Sequence, residues 1–285
     1  MRIEHNCSLE PYNSYAIKAV CARAYFPDTE EELIDLLEAE KNLIFLGSGH
    51  NVILSKSFYT AHFVILNGNF DTFEFDTQSK IIRAQSGVNL LELSRFAQEN
   101  ALTGLEMFYD IPSSVGGAVI MNAGAGGIEI KDFLVGVAYY DLNQRSRHYI
   151  KRENLEFTYR NSLFQNQTHL IILRVDLQLK FGDTQQIESE MQRIKTARWK
   201  KQPRDFPNAG SVFKRPEGYY VGAIMDDLKL KGTRVGGAQI SEKHGGFIIN
   251  SGNASGADVL SLIDLVQKRV KKHYGFTLEV EQRVI

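Results

Sequence analysis

The chain has 285 residues, of which 43% are hydrophobic and 24% are charged, and its formal net charge at pH 7 is -1. A chain of this length can bury a full core and is expected to form two domains, or one domain with a lobe. The small net charge argues against a nucleic-acid-binding protein, which needs positive charge to contact phosphates. Two cysteines, Cys7 and Cys21, are too few for a disulfide scaffold, and nothing pairs them as metal ligands, so no metal site is predicted.

The hydropathy of the chain predicts its compartment. The N-terminal residues lack the apolar stretch of a secretory signal, and no apolar run reaches membrane-spanning length. We therefore expect a cytoplasmic monomer that binds neither membrane nor nucleic acid.

Helix and strand signals alternate along the first part of the chain. Asp28 and Thr29 are typical of a helix start, and the leucines at 33, 36 and 37 then recur at helical spacing. Two further helices are predicted over 89–100 and 184–201. Strands are predicted over 43–46, 63–66, 73–75, 81–84, 135–140 and 170–181.

A second, smaller lobe is predicted from residue 184 onwards. Its elements are a short helix near 219–228, a long helix over 257–273, and strands over 238–241, 246–250 and 277–284. The predicted fold class is therefore α+β, with domains at 1–183 and 184–285.

Two glycine-rich segments in the first lobe are suited to binding a pyrophosphate. Glycines and small residues allow backbone N–H groups to converge on an anion, although tight turns alone would explain one such loop. The Rossmann fingerprint is not met, because Val52 stands where a further glycine is needed, and a Walker A loop is also missing. The candidate cofactor-binding residues are Leu46, Gly47, Ser48, Gly49, His50 and Asn51 in the first segment, and Ile111, Pro112, Ser113, Ser114, Val115, Gly116, Gly117, Asn122, Ala123 and Gly124 in the second.

A third motif, Ala209-Gly210-Ser211-Val212-Phe213-Lys214, places a serine beside a glycine, where a bent backbone can approach a ligand closely. Together with the glycine-rich segments, this motif resembles the UDP-N-acetylenolpyruvoylglucosamine reductase (MurB) family, from about Asn13 to the end of the chain. The other matching segments are Gly104-Leu105-Glu106, Tyr159-Arg160-x-Ser162-x-Phe164 and the run from Gly236 to His244.

The resemblance implies an FAD-binding lobe of the vanillyl-alcohol-oxidase (PCMH) type and a substrate-binding lobe. It also implies NADPH as reductant and UDP-N-acetylglucosamine enolpyruvate as substrate, in peptidoglycan precursor synthesis. The segment between Arg160 and Ser211 is short, as in the subgroup of the family that lacks an extra loop over the substrate.

Reduction of an enolpyruvyl ether needs a hydride at one carbon and a proton at its neighbour, and the cofactor supplies the hydride chemistry. Arg160 offers a planar, permanently charged fork that suits a carboxylate, and it resembles the catalytic arginine of the family. Ser211 matches the family's proton donor, which requires a strongly basic acceptor carbon because a hydroxyl is a weak acid. Lys214, Arg215 and His244 are the expected substrate-binding residues.

Glu281 is interpreted in two ways. In the predicted tail strand it alternates with apolar residues, together with Thr277, Glu279 and Arg283, a pattern typical of a solvated face. The resemblance instead selects Glu281 as the third catalytic residue. A carboxylate there would have to be partly protonated, or contact the substrate through a water or a donor, because a bare charge would oppose the developing negative charge.

Other functions remain open at this point. His50 stands where the family usually has serine, and in oxidases of the wider flavin superfamily a histidine in this loop can be bonded to the flavin. The simpler interpretation is a hydrogen bond to the pyrophosphate or the loop backbone. A non-catalytic nucleotide-sugar sensor is a third possibility. An acyl-enzyme built on Ser211 and Lys214 is disfavoured, because its companion motifs are missing. Arg215 replaces an asparagine that is common in the family, and no role follows for it from the sequence.

Overall fold

The computed structural model describes residues 1–285 and contains both helices and short sheets. The α-helices are α1 (Glu30–Ala39), α2 (Leu90–Glu99), α3 (Val115–Met121), α4 (Leu163–Asn166), α5 (Thr184–Lys201), α6 (Val221–Asp227) and α7 (Gly256–Tyr274). The strands are β1 (Arg2–Ser8), β2 (Val20–Phe26), β3 (Ile44–Leu46), β4 (Val52–Ile53), β5 (Phe58–Ile65), β6 (Phe73–Asp76), β7 (Ile81–Gln85), β8 (Leu102–Thr103), β9 (Gly124–Ala125), β10 (Ile128–Glu129), β11 (Leu134–Asp141), β12 (Ser146–Lys151), β13 (Leu170–Gln178), β14 (Lys180–Phe181), β15 (Arg234–Val235), β16 (Ala238–Ile240), β17 (Ile248–Asn250) and β18 (Arg283–Val284). None of the helices is both long and apolar enough to cross a membrane.

Three sheets have more than two strands. Their strand orders are β1-β2-β5-β3, β12-β11-β13-β7-β6 and β15-β16-β17. Neighbouring strands in the second and third sheets are antiparallel, whereas β3 pairs with β5 in parallel.

The chain divides into two compact units. Unit 1 comprises Met1–Glu4, Ala24–Ser48 and Ala61–Ala197, and unit 2 comprises His5–Arg23, Gly49–Thr60 and Arg198–Ile285. The predicted division into domains at 1–183 and 184–285 stays a prediction. Its boundary coincides with the start of α5.

The main core of unit 1 lies on the five-stranded sheet. α3 packs against β7 and β13, and Val115, Ala118 and Val119 of this helix are fully buried with Val88 and Val175. Burial of each of these valine side chains contributes about 1.5–3 kcal/mol to folding. This packing fixes the backbone of α3, which forms part of the second glycine-rich segment.

α1 forms a smaller core in unit 1, as its sequence pattern predicted. The Thr29 side chain accepts a hydrogen bond from the backbone N–H of Glu32 and so caps the helix start. The leucines at 33, 36 and 37 are buried against Phe70 and Leu173. The predicted helix start and apolar face are both confirmed.

In unit 2, α7 packs against β15 and β16. A reciprocal capping box between Ser255 and Asp258 starts the helix, and Gly275, at a φ of 82°, ends it. Its apolar face is buried, comprising Val259, Leu262, Ile263, Val266 and Val270. The helix therefore supports the three-stranded sheet of unit 2 by packing against it.

The tail strand predicted over 277–284 is wrong as a continuous strand. Only Arg283–Val284 forms a strand, paired in parallel with β4, and Phe213 and Val280 form an isolated antiparallel bridge. The predicted alternation of faces continues through Gln282, which is 4% exposed, and fails at Val284, which is 53% exposed. The predicted strand over 170–181 is also interrupted, between β13 and β14.

A buried polar cluster explains why Gln282 faces inward. Its Oε1 accepts a hydrogen bond of 2.9 Å from the hydroxyl of Tyr15, and its Nε2 donates to the carbonyl of Ala209 at 3.0 Å. Nδ2 of Asn250 donates to the carbonyl of Tyr15 at 2.8 Å. Burial raises the pKa of Tyr15 above its usual value, so the phenol remains a donor at all physiological pH values. The cluster links the N-terminal part of unit 2 to its tail.

Replacement of Tyr15 by phenylalanine should lower the free energy of unfolding by about 1–3 kcal/mol, because a buried Gln282 oxygen would lose its donor. Tyr274→Phe is the matched control. It removes a phenol hydroxyl that donates to Asp227 at the exposed surface, and should change stability by less than about 0.5 kcal/mol. Urea unfolding of both variants measures the difference, and equal losses would show that the Tyr15 cluster contributes no special stability.

Candidate active site

The first glycine-rich segment starts where β3 ends. A Cβ at Gly47 would collide with Oγ of Ser114, so only glycine allows this close approach. The backbone N–H of Ser114 donates to Oγ of Ser48 at 3.2 Å. The structure thus brings the first segment, at Gly47 and Ser48, into contact with the second at Ser114, all within unit 1.

The segment continues into unit 2 at Gly49. This glycine has a φ of 71°, and a Cβ on it would collide with the carbonyl oxygen of Tyr12. Its own carbonyl accepts from both the backbone N–H and the hydroxyl of Ser14, each at 3.1 Å. Gly49 is therefore fixed by residues 12–14. His50, which follows it, is half-buried.

The second glycine-rich segment is a helix over much of its length, which the sequence did not predict. Ser114 caps α3, and its hydroxyl accepts from the N–H of Gly117 at 3.2 Å. The N–H of Val115 donates to Val88 and that of Gly116 to Ser86. These backbone N–H groups therefore have protein partners, and the assignment of 115–117 to the cofactor stays a prediction. Before the helix, Ile111 is half-buried, Pro112 is exposed, and Oγ of Ser113 contacts the carbonyl of Ser114.

The residues after α3 present a different kind of site. Asn122 ends the helix in the left-handed conformation, at a φ of 43°, and is fully buried. Its Oδ1 has no hydrogen-bond partner within the protein. Ala123 is fixed by backbone hydrogen bonds to Ala118 and Ile130, and Gly124 pairs with Glu129 in the β9–β10 ribbon. A buried acceptor without a donor is costly, and a ligand that supplies a donor would relieve that cost.

Arg160 lies at the tip of a tight turn in unit 1. Backbone hydrogen bonds join Thr158 and Asn161 in both directions, and Arg160 has a φ of 54°. Its guanidinium donates to the carbonyl of Asn122 at 3.2 Å and to that of Gly124 at 2.7 Å. The predicted catalytic arginine is thus in direct contact with two predicted cofactor-binding residues.

Ser211 lies on an extended segment in unit 2 between two other segments. It forms an isolated antiparallel bridge with Phe247, and the N–H of Val212 donates to Gly246 at 3.0 Å. On the other side, the N–H of Glu281 donates to Val212 at 2.8 Å. The structure therefore brings the Ser211 segment and Glu281 together through main-chain hydrogen bonds, and it leaves the Ser211 side chain exposed.

The turn before Ser211 depends on Asn208 and Gln282, to which the sequence assigned no role. Gly210 has a φ of 77°, and its N–H donates to Oδ1 of Asn208 at 3.1 Å. Nδ2 of Asn208 donates to the carbonyls of Pro203 and Phe206. An asparagine two residues before a glycine is a turn signal that could have predicted this. Gln282, which donates to Ala209, had no such local signal.

Asn51 connects the first glycine-rich segment to the tail within unit 2. Its side-chain amide donates to the carbonyl of Glu281 at 3.3 Å, and its own carbonyl accepts from the N–H of Arg283 at 2.9 Å. The residue predicted to bind cofactor therefore also orders the tail that carries Glu281.

The three expected substrate-binding residues have distinct surroundings. Nζ of Lys214 pairs with Glu279 at 2.6 Å. Arg215 donates from Nε to the carbonyl of Tyr219 at 3.3 Å, and its guanidinium lies 3.9 Å from the centre of the Tyr220 ring. These two contacts close the 215–220 loop.

His244 is expected to be neutral at pH 7. Burial, and next the positive charge of Lys231, lower the pKa of its imidazole. Nδ1 accepts from the N–H of Gly246 at 3.1 Å, which leaves the proton of the neutral ring on Nε2. The residue can therefore donate one hydrogen bond from Nε2, but it does not contribute a positive charge.

Two family models match the chain. Residues 22–143 match an FAD binding domain, and residues 202–285 match the C-terminal domain of UDP-N-acetylenolpyruvoylglucosamine reductase. These matches cover the two glycine-rich segments and the Ser211 and Glu281 segments, respectively.

Similar proteins extend over almost the whole chain. The UDP-N-acetylenolpyruvoylglucosamine reductase of Francisella tularensis is 42% identical over 283 residues, which are 98% of this chain and 98% of the relative. That of Geobacillus kaustophilus is 39% identical over 97% of this chain and 91% of the relative. The solved structure of UDP-N-acetylenolpyruvylglucosamine reductase (MurB) from Thermus caldophilus has a TM-score of 0.86 and 33% identity, covering 100% of this chain and 99% of that one.

The residues of the two glycine-rich segments fit FAD. Gly47 and Gly49 occupy positions where a Cβ would collide with the protein, so the path of the first segment requires glycine at both. The buried Oδ1 of Asn122 needs a donor, which a flavin can supply. The acceptor of Asn122 therefore supports a cofactor beside it, whereas the N–H groups of Val115 and Gly116 are bonded within the protein.

Replacement of Gly49 by alanine should reduce the flavin content of the purified protein, because the new Cβ meets the Tyr12 carbonyl. Gly68→Ala is the matched control, since Gly68 has a similar φ of 77° but open space around it. Both variants should lose about 1–2 kcal/mol of stability from the left-handed backbone. Only Gly49→Ala should lose flavin, measured as the ratio of visible to ultraviolet absorbance. Full flavin content in Gly49→Ala would contradict the proposed role of this loop.

Proposed function

The chain belongs to the UDP-N-acetylenolpyruvoylglucosamine reductase family, and we propose that it reduces UDP-N-acetylglucosamine enolpyruvate to UDP-N-acetylmuramate with NADPH. It is an FAD-containing oxidoreductase, as its relatives and its FAD binding domain indicate. The observation that carries the proposal is the main-chain pairing of the Ser211 segment with the tail at Glu281. The peptidoglycan precursor pathway is the implied context.

When bound, FAD would supply the chemistry of hydride transfer between NADPH and the enolpyruvyl double bond. The residues that would hold FAD are those of the two glycine-rich segments, including Gly47, Gly49 and Asn122. The remaining chemistry belongs to the protein, which must stabilise negative charge on the substrate and deliver one proton.

Arg160 would stabilise the charge that develops on the substrate carboxylate. Its guanidinium is permanently protonated, and its contacts with the carbonyls of Asn122 and Gly124 fix the direction of the fork. A hydrogen-bond donor that is already in position does not have to reorganise when the negative charge develops. It therefore stabilises the transition state more than a mobile donor would.

Ser211 would donate the proton to the carbon next to the carboxylate. Its side chain is exposed, while the backbone on both sides is fixed by hydrogen bonds to Gly246 and Glu281. Such fixed geometry is what a weak acid requires in order to protonate carbon.

Glu281 would act beside Ser211 as the third catalytic group. Its backbone N–H is fixed on Val212, and Asn51 contacts its carbonyl, so the main chain determines where the carboxyl group starts. A protonated or water-linked carboxyl group would support the proton transfer without opposing the substrate charge.

Lys214, Arg215 and the Nε2–H of His244 would bind the sugar nucleotide. Two of these are cations, which suit a diphosphate. A cytoplasmic location and a monomeric state also remain proposals.

The two other functions considered from the sequence have less support. The relatives are named reductases over nearly their full lengths, which disfavours an oxidase with flavin tethered to His50 and a non-catalytic sensor.

Replacement of Ser211 by alanine should leave the reduction of bound flavin by NADPH unchanged and lower turnover of the enolpyruvyl substrate by about 10²–10⁴-fold. Ser261→Ala is the control, because this serine is exposed on α7 and belongs to no proposed site. Stopped-flow absorbance separates the two half-reactions. Wild-type turnover in Ser211→Ala would eliminate the proton-donor role.

A further inference from the structure

We propose that Glu129 is a positioning residue for Arg160 and that it acts through the side chain of Asn122. The inference rests on the proposed function, since it concerns the arginine that would stabilise the substrate carboxylate. All residues involved lie in unit 1.

Arg160 requires support from its surroundings because of its backbone. A φ of 54° lies in the left-handed region, which disfavours residues with a Cβ. Such a conformation persists where neighbouring structure determines it, and it is found at functional sites. Here the supporting residues are Thr158, at the start of the turn, and Asn122, which contacts the turn.

Asn122 contacts the turn of Arg160 at two points. Its Nδ2 donates to the carbonyl of Thr158 at 3.0 Å, which fixes the first residue of the turn. Its backbone carbonyl accepts from Nη1 of Arg160 at 3.2 Å, which fixes the guanidinium. The position of Asn122 therefore determines both the base and the tip of the arginine.

Glu129 determines the orientation of the Asn122 amide. Its Oε2 accepts from Nδ2 at 2.9 Å, so this nitrogen faces two acceptors, a carboxylate and a carbonyl. Neither acceptor can donate, so only the NH₂ end of the amide can face them. The amide is fully buried, whereas the Glu129 side chain is 19% exposed. A fixed amide then leaves Oδ1 directed away from these groups.

Glu129 also lies beside the second acceptor of Arg160. In the β9–β10 ribbon Glu129 is paired with Gly124, whose carbonyl accepts from Nη2 of Arg160 at 2.7 Å. Nζ of Lys131 pairs with Oε2 of Glu129 at 2.6 Å. One carboxylate thus contacts or neighbours both carbonyl-bearing residues that orient the guanidinium.

Glu129 also caps a neighbouring 3₁₀ turn, and the experiment must distinguish this role from its contact with Asn122. Its side chain accepts from the backbone N–H of Asp132, and Oδ2 of Asp132 accepts from the N–H of Glu129 at 2.8 Å, forming a reciprocal cap on the 3₁₀ turn Ile130–Asp132. Asp132→Ala removes half of this cap and keeps the contact with Asn122, so it is the matched control. Glu129→Gln is the conservative variant, because its amide oxygen can still accept from Asn122.

The first arm of the experiment is amide hydrogen exchange of the full-length protein, followed by mass spectrometry of peptides covering 156–162. Glu129→Ala should increase exchange in these peptides about tenfold, as expected for the loss of a supporting hydrogen bond. Glu129→Gln and Asp132→Ala should exchange like the wild type. Unchanged exchange in Glu129→Ala, or an equal increase in Asp132→Ala, would overturn the proposal whether or not the protein is an active reductase.

The second arm measures steady-state turnover of the enolpyruvyl sugar. Glu129→Ala should lower kcat per bound flavin by about 10–100-fold, as expected for a misplaced catalytic group. Glu129→Gln should recover most of this loss. In an Arg160→Lys background, Glu129→Ala should cost less than about threefold, because residues that act through one another are non-additive.

The two arms separate the possible failures. If the wild type does not reduce the enolpyruvyl sugar, the proposed function fails, and the exchange arm alone decides whether Glu129 positions the turn. If the wild type is active but Glu129→Ala lowers kcat equally with and without Arg160→Lys, Glu129 does not act through Arg160, and the positioning role is wrong.

Discussion

The hydrogen bonds between the Ser211 segment and the C-terminal tail are the interaction on which the candidate site of unit 2 depends. The N–H of Glu281 donates to Val212, and the N–H of Lys214 donates to Glu279. These bonds use main-chain groups only. Without this pairing, the backbone of the Ser211 segment would lose its hydrogen bonds to the tail.

Buried amides fix the geometry in both units. In unit 2, Gln282 joins the hydroxyl of Tyr15 to the carbonyl of Ala209, two residues before the serine. In unit 1, Asn122 joins Glu129 to the turn of Arg160. Each amide is expensive to bury unless all its partners are present, and this requirement selects one arrangement of the backbone. The backbone segments that carry the proposed catalytic residues Ser211 and Arg160 are thereby held by buried polar groups.

The sequence predicted the segments whose signals are local and failed where distant contacts decide. α1 and α5 carry their own periodicity or capping, and they were located correctly. The tail was wrong as a continuous strand because it pairs with two segments that are distant in the chain, at Phe213 and at β4. α3 was missed because its glycines indicate a loop, whereas contacts with Val88 and Ser86 make them helical. The candidate catalytic residues were identified from the resemblance to a family, whereas the amides that support them were identified only from the structure.

The most direct test of reductase activity is an anaerobic two-step titration of the purified, FAD-loaded protein, followed by its visible spectrum. NADPH should abolish the flavin absorbance, and one equivalent of UDP-N-acetylglucosamine enolpyruvate per flavin should then restore it in the absence of oxygen. Failure of the enolpyruvyl sugar to restore the absorbance, with recovery only on admission of oxygen, would contradict the reductase assignment and favour an oxidase.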